Sequence, residues 1–232
     1  MPPRRFVVGD IHGCENTFRA LLHDVLQLQP TEELYLLGDL IDRGPGSKGV
    51  LDEILRLRRQ GFAVDALRGN HEEMLLRAGE SQDFLDLWMT NGGGRTLDSF
   101  NMEDPDDIPY SYRNYLLTLP NYIILEDFIL VHACLNFDIP DPFADTETML
   151  WGRSCKVRKD LIGGRKLICG HTPVSRQTLL KSLKTSRIML DNGCVYKGMS
   201  GLGSLAALEL DSMNVYFQEN LDFSGTSGKK SF

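Results

Sequence analysis

Residues 68–73 read RGNHEE, and two earlier stretches share their character: GDIHG at 9–13 and GDLIDRG at 38–44. Each stretch follows a short apolar run and combines glycine with carboxylate, carboxamide or imidazole side chains. The apolar runs RFVVG, ELYLLG and FAVDAL alternate with two segments of helical spacing, 16–29 and 47–60. This order predicts a βαβαβ unit with parallel strands and right-handed crossovers.

The composition is that of an ordinary globular protein, with 232 residues of which 42% are apolar and 25% charged. No apolar run reaches the ~18 residues that a membrane-spanning helix needs, and the N-terminus lacks the long apolar region of a signal peptide. A net charge of −7 disfavours non-specific binding to nucleic acid or to an anionic membrane. We therefore expect a cytoplasmic protein with neither partner.

The rest of the chain predicts one domain over residues 1–223. Residues 72–119 look helical, with breaks at 91–96 and 103–109, and we interpret them as a helical insertion or cap. Further strands are predicted within 121–133 (two strands), 165–170, 186–193 and 203–217, the last as a hairpin that turns at 211–214. The polar tail 224–232 is predicted to be disordered.

The five cysteines form no CxxC pair, and their odd number favours neither a disulfide framework nor a structural zinc cluster. Buried or half-buried free thiols are expected at all of these positions: Cys14, Cys134, Cys155, Cys169 and Cys194. Cys14 stands directly after GDIHG, either as a small packing residue or as a thiol that oxidants can reach.

Polar side chains follow the predicted strands at their carboxyl ends, where α/β proteins gather functional groups. Taken alone, Asp10 and His12 would more often be a turn carboxylate and a surface imidazole, and GNH is a good turn sequence. Their joint occurrence favours a site, because four of the five histidines fall at strand exits and only His23 lies within a helix. The converging residues are Asp10, His12, Asp39, Asp42, Arg43, Arg68, Asn70, His71, His132 and His171.

Asp, Asn and His side chains without cysteine are ligands that suit manganese, iron or zinc. Three carboxyl or carboxamide groups and three imidazoles are too many for one tetrahedral zinc ion, but they fit two metals that share a bridging ligand. Two metals ~3.5–4 Å apart are typical of phosphate-ester hydrolysis. Arg43, Arg68 and Arg153 would supply donors for phosphate oxygens, which indicates a phosphate-binding site.

The three motifs, followed by His132 and by GHTP at 170–173, resemble the phosphoprotein phosphatase family of metallophosphoesterases. The similarity is greatest to compact bacterial and phage enzymes of the lambda-phosphatase type and covers residues 5 to about 205. It implies a calcineurin-like α/β fold, a β-sandwich flanked by helices in four α/β/β/α layers. The YKGMSG stretch at 196–201 departs from the family pattern.

The resemblance also implies a role for each site residue. Two divalent metals, with manganese favoured over iron or zinc, would be bound by Asp10 and His12 at one position, by Asn70, His132 and His171 at the other, and by Asp39 as a bridge. His71 would protonate the leaving group, and Asp42 would orient His71. Arg43, Arg68 and Arg153 would bind the phosphate. Hydroxide activated by the two metals would attack phosphorus directly.

The implied activity is hydrolysis of phosphomonoesters, first of all phosphoserine and phosphothreonine in proteins or peptides. The nearest alternative is hydrolysis of dinucleoside polyphosphates, such as diadenosine tetraphosphate, or of other small phosphate esters by the same site. A non-enzymatic phosphate-binding scaffold is disfavoured, because it would not need both His71 and Asp42 beside the ligands. A nuclease is disfavoured by the acidic charge balance.

Overall fold

The computed structural model describes residues 3–223, which contain two β-sheets. The first sheet has five strands in the order β3 (Ala63–Ala66), β2 (Glu33–Leu36), β1 (Arg5–Val8), β8 (Ser204–Glu209) and β9 (Val215–Glu219). The second has four in the order β4 (Tyr122–Ile124), β5 (Phe128–Val131), β6 (Lys166–Cys169) and β7 (Arg187–Met189). The predicted parallel pairing of β1 with β2 and of β2 with β3 is confirmed, as is the antiparallel hairpin of β8 and β9.

Helices cover the outer faces of both sheets. Those packed near the first sheet are α1 (Glu15–Ala20), which continues through a π-helical turn at Leu21–Val25, α2 (Ser47–Arg59), α3 (Asn70–Arg77), α4 (Gln82–Thr90), α5 (Gly93–Phe100) and α6 (Tyr110–Leu117). Two more helices follow, α7 (Thr146–Trp151) and α8 (Arg176–Ser182), with short 3₁₀ segments at Pro105–Asp107 and Lys159–Ile162. None of the helices described within residues 3–223 is both long and apolar enough to cross a membrane.

The layers follow from the two-residue period of the strands. In β1, Val7 faces the second sheet and packs in one cluster with Leu130 and Ile168. Its neighbours Phe6 and Val8 face the other way, into the helices. The outer face of the second sheet packs in turn against α7 and the 3₁₀ segment at Lys159–Ile162. The predicted four-layer α/β/β/α fold is confirmed.

The expected break at 91–96 is shorter than predicted. Gly92 takes a left-handed conformation (φ 103°) that a side chain would disfavour, and α5 then begins at Gly93. A Cβ atom at Gly93 would collide with the ring of the buried Trp88, so the glycines also allow α4 and α5 to pack closely. The predicted tail, 224–232, lies outside the described residues.

The expectation of free thiols is wrong for two cysteines, because Cys134 and Cys155 form a disulfide. Their Cα atoms are 6.2 Å apart although 21 residues separate them in sequence. The chain after β5 is brought beside α7, where the N–H of Ala133 donates to the carbonyl of Met149 at 2.9 Å. Free buried thiols are confirmed at the other three positions, Cys14, Cys169 and Cys194.

Candidate active site

The loops that follow β1, β2, β3, β5 and β6 meet at one end of the two sheets, with Asp39 between them. One carboxylate oxygen of Asp39, Oδ2, lies 3.5 Å from His12 Nε2, and the other, Oδ1, lies 3.4 Å from His132 Nε2. Two clusters of donor atoms within 4.8 Å of one another therefore share Asp39: one with His12 and His71, the other with His132 and His171. A shared carboxylate suits the predicted bridging position.

The second cluster is the tighter one. Asn70 Oδ1 lies 3.0 Å from His132 Nε2 and 2.9 Å from His171 Nδ1, and the two nitrogens are 3.2 Å apart. All three atoms can offer a lone pair, and Asp39 Oδ1 faces the same point. Carboxylate, carboxamide and imidazole atoms converging in this way fit one divalent cation of the borderline type.

Hydrogen bonds from Nδ1 to backbone carbonyls fix the tautomer of two imidazoles, so that Nε2 of each carries no proton. His132 donates from Nδ1 to the carbonyl of Leu37 at 2.9 Å, and His12 donates from Nδ1 to the carbonyl of Ile41 at 3.3 Å. In both rings the Nε2 lone pair is thus directed into the site. Burial lowers the pKa of both histidines, and burial together with His132 lowers the pKa of His171 to about 4. Neutral imidazoles are the form that binds a metal.

Asp10 reaches the site from β1 and is buried. Its carboxylate accepts a hydrogen bond from the backbone N–H of His171 at 2.9 Å, and a Cβ atom at Gly170 would collide with it. Burial and the nearby Asp191 raise the pKa of Asp10 well above its ordinary value. Asp191 follows β7 in the sequence LDNG, a further strand exit that the sequence analysis did not recognise as part of the site.

His71 differs from the other site histidines. Its Nδ1 is 2.7 Å from Asp42 Oδ2, whereas its Nε2 is fully buried and has no hydrogen-bond partner among residues 3–223. Burial alone would lower the pKa of His71, but the carboxylates of Asp39 and Asp42 outweigh this effect and raise it. A buried imidazole with a raised pKa and a free nitrogen can hold a proton for a ligand in the site. That nitrogen is also only 4.0 Å from Asp39 Oδ2, a distance at which both atoms could bind the same metal.

Two residues that the sequence analysis missed support Asp42. Thr96 donates to Asp42 Oδ1 at 2.6 Å, and the indole N–H of Trp88 donates to Oδ2 at 2.9 Å. With His71, the fully buried Asp42 carboxylate has three donors. Thr96 is the last residue of NGGGRT at 91–96, the predicted break between helices, so this stretch supports the site through Asp42.

Glu72, within RGNHEE, was also missed. Its buried carboxylate accepts hydrogen bonds from the backbone N–H groups of Asp39 (2.9 Å), Leu40 (2.8 Å) and Gly69 (2.8 Å). It thereby ties the loop after β2 to the start of α3. A Cβ atom at Gly69 would collide with Asp39, which explains the glycine in this motif. The signal in the sequence was the capping-box spacing: Glu72 stands three residues after Gly69, which directly precedes α3.

The backbone of the site is strained. Left-handed φ angles occur at five predicted site residues, a conformation that is uncommon outside glycine: His12 (48°), Asp39 (48°), Asp42 (70°), Arg43 (66°) and His171 (65°). Such conformations persist where the surrounding structure enforces them, and they concentrate at functional sites.

The three predicted phosphate-binding arginines lie in different environments. Arg43 donates from Nη1 to His12 Nε2 at 2.7 Å, at the nitrogen that a metal would use. Arg68 contacts Glu73 at 3.1 Å and donates to the carbonyl of Leu117 at 2.8 Å. Arg153 is exposed, on the irregular segment after α7.

Comparisons with known proteins agree with this geometry. Residues 3–175 match the calcineurin-like phosphoesterase family. The chain is 30% identical over 211 residues to serine/threonine-protein phosphatase 1 of Salmonella typhimurium, covering 86% of this chain and 91% of that protein. It is 27% identical over 238 residues to an asymmetrical bis(5'-nucleosyl)-tetraphosphatase of Anoxybacillus flavithermus, covering 90% and 92%. The crystal structure of a candidate diadenosine tetraphosphatase has the same fold, with a TM-score of 0.70 and 23% identity over 96% of each chain.

The motif residues converge on shared Asp39, and the family match spans most of the chain. The protein therefore belongs to the calcineurin-like metallophosphoesterases, with the motifs of their phosphoprotein phosphatase branch, and is a metal-dependent hydrolase of phosphoric esters.

Proposed function

We propose that the protein removes phosphate from phosphoserine and phosphothreonine in proteins or peptides, in the cytoplasm and with two manganese ions. The two ions would share Asp39 as a bridge, and their other ligands would be Asp10, His12, Asn70, His132 and His171. The similarity over nearly the full length to a serine/threonine-protein phosphatase supports this substrate class. The two ions supply, when bound, an activated water and positive charge toward the phosphate oxygens.

The observation that carries the proposal is the pair of His71 and Asp42. A serine or threonine alkoxide is a strongly basic leaving group, so its departure needs a proton donor. His71 presents to the site a buried Nε2 that has no partner within the described residues 3–223, and Asp42 holds the other ring nitrogen. Arg43, Arg68 and Arg153 would bind the phosphate oxygens as planar cations. His12 would hold a metal through Nε2, the nitrogen to which Arg43 donates here, and the Arg43 guanidinium would then be available to phosphate.

The test incubates a phosphoserine peptide with the manganese-loaded protein. It measures the unphosphorylated peptide that is formed and the inorganic phosphate that is released. Release of phosphate with recovery of the intact peptide is expected. Absence of release from phosphopeptides, while an aryl phosphate is hydrolysed, would reject the protein substrate and keep the phosphomonoesterase.

A second substrate class, the dinucleoside polyphosphates, is favoured by a specific cavity. This cavity of about 600 Å³ adjoins Arg43 and is also lined by Arg95, Tyr196 and Phe223. None of its described lining residues is acidic. Two guanidinium groups beside two aromatic rings match the phosphates and base of a nucleotide.

Replacement of Arg95 by Ala separates the two classes. If nucleotides occupy the cavity, the variant should raise KM for diadenosine tetraphosphate about tenfold, the effect of one charge-assisted hydrogen bond, with little change for a small aryl phosphate. Arg59→Ala is the matched control. Arg59 is the last residue of α2, whereas the site lies near the buried first residue of that helix, Ser47. Equal effects on both substrates would remove Arg95 from nucleotide binding.

A further inference from the structure

The disulfide joins the two chain segments that carry a predicted metal ligand and a predicted phosphate ligand. Cys134 stands two residues after His132, and Cys155 stands two residues after Arg153. Neither the proposed chemistry nor the family motifs make use of this bond. Its position at the edge of the site raises the question of what it holds in place.

The segment that carries Arg153 has little other support. Residues 152–158 form no regular structure between α7 and the 3₁₀ segment at Lys159–Ile162. The backbone of 153–157 makes few hydrogen bonds with the rest of residues 3–223. They are two long ones of 3.4 Å, which the guanidinium of Arg187 donates to the Arg153 carbonyl. The side chain of Val157 packs against the cluster on the outer face of the second sheet, and the disulfide is the covalent tether of the residues between Gly152 and Val157.

The residue directly before this segment lies against the candidate metal-binding cluster. The ring of Trp151, at the end of α7, is 6.4 Å from the ring of His171 and nearly perpendicular to it. A Cβ atom at Gly152 would lie 2.9 Å from Cβ of Cys134, so the chain passes directly over that cysteine before it reaches Arg153.

The bond is accessible from one side. Cys134 is fully buried, but Cys155 is half-buried and lines a surface cavity of about 570 Å³ together with Ser154 and Lys156. A small dithiol can enter a cavity of this size and attack the sulfur of Cys155. Two thiol–disulfide exchange steps would then leave Cys134 and Cys155 as thiols, while the dithiol becomes a cyclic disulfide.

We propose that Cys134 and Cys155 are positioning residues, and that their disulfide holds Arg153 over the metal centre so that phosphate binding depends on thiol redox state. The proposal rests on the proposed function, in which Arg153 binds a phosphate oxygen. Opening the bond frees residues 153–158 and removes one guanidinium from the phosphate. His132, on the same strand exit as Cys134, is held separately by its hydrogen bond to the carbonyl of Leu37, and the other metal ligands are carried by other strand exits, so the ligands stay in place.

The first experiment measures inhibition by inorganic phosphate in the manganese-loaded protein, oxidised and after treatment with dithiothreitol, with an aryl phosphate as substrate. Reduction should weaken phosphate inhibition about tenfold, the effect of losing one hydrogen bond between charged groups, and should leave the metal content unchanged. Cys155→Ser should show the weak inhibition without reductant and should not respond to dithiothreitol. This variant also controls for binding of the reagent to the metals.

The second experiment tests whether the effect passes through Arg153. Arg153→Ala should weaken phosphate inhibition to a similar extent, and reduction should add little to it. A further tenfold loss on reduction of this variant would overturn the positioning role.

Limited trypsin digestion gives a readout that does not depend on activity. Cleavage after Arg153, Lys156 or Arg158 should become faster when the bond is reduced, because this segment loses its tether. Unchanged cleavage and unchanged phosphate inhibition in protein whose free thiols are verified by mass would overturn the proposal. If the oxidised enzyme hydrolyses no phosphate ester at all, the proposed function fails, and the trypsin result still decides whether the bond tethers the segment.

Discussion

Replacement of His71 by Asn tests the proposed proton donor. Asn has nearly the same width as the imidazole and keeps a polar group beside Asp42, but it cannot transfer a proton at neutral pH. Loss of a general acid typically lowers turnover by roughly 10²–10⁴-fold, which corresponds to about 2.7–5.5 kcal/mol at the transition state. Because Nε2 has no protein partner among residues 3–223, we expect the loss to come from the missing proton and only slightly from disturbed packing.

The loss should depend on the leaving group. The leaving group of a phosphoserine peptide is a strongly basic serine alkoxide, which needs the proton. The leaving group of nitrophenyl phosphate is the weakly basic nitrophenolate, which needs it less. The assay is therefore turnover of both substrates by wild type and variant, with metal content measured in parallel. His23→Asn is the matched control, because His23 is a half-exposed helical histidine paired with Glu53. It should change neither rate.

The outcomes separate three roles for His71. A much larger loss on the peptide than on the aryl ester, with both metals retained, supports the general acid. Equal losses on the two substrates would refute it. Loss of one metal would make His71 a ligand, which its distance of 4.0 Å from Asp39 Oδ2 allows. Asp42→Asn should follow the same pattern more mildly, since it removes only the orientation of the ring.

Three further predictions address the rest of the site. Chelation should abolish hydrolysis, and manganese should restore it better than magnesium, because magnesium prefers oxygen ligands and this site offers imidazoles; equal restoration would count against a His-rich centre. Arg43→Ala and Arg68→Ala should each weaken inhibition by phosphate without changing metal content, and unchanged inhibition in both would remove them from phosphate binding. Glu72→Ala should lower the free energy of unfolding by more than about 3 kcal/mol, since at least three buried N–H groups lose their acceptor; urea denaturation measures this, and a loss below 1 kcal/mol, on the order of one hydrogen bond, would contradict it.

The sequence indicated where the candidate metal-binding clusters would form because its motifs sit at strand ends. Parallel strands place their carboxyl ends at one edge, so Asp10, Asp39 and Asn70 had to approach one another once β1, β2 and β3 paired. The period of two in these strands also accounts for the observed facing, with Phe6 and Val8 toward the helices and Val7 toward the second sheet.

Contacts between distant segments could not be predicted in this way. Trp88 and Thr96 reach Asp42 from 46 and 54 residues away, from helices α4 and α5, whose packing no motif specifies. The disulfide is similar, because nothing near Cys134 or Cys155 signals that β5 and the segment after α7 meet. The left-handed φ angles at the site were also not foreseen, since non-glycine residues adopt them only where surrounding contacts compel it.

Metal stoichiometry is the most direct measure of the central proposal, a dinuclear centre bridged by Asp39. The protein would be loaded with manganese, freed of excess metal by gel filtration and analysed for metal per chain, beside the Asp39→Asn variant. We expect two ions per chain in the wild type and a loss from both positions in the variant, together with its activity. A single ion per chain in the active wild type, or two retained ions and near-normal turnover in the variant, would contradict the bridged centre.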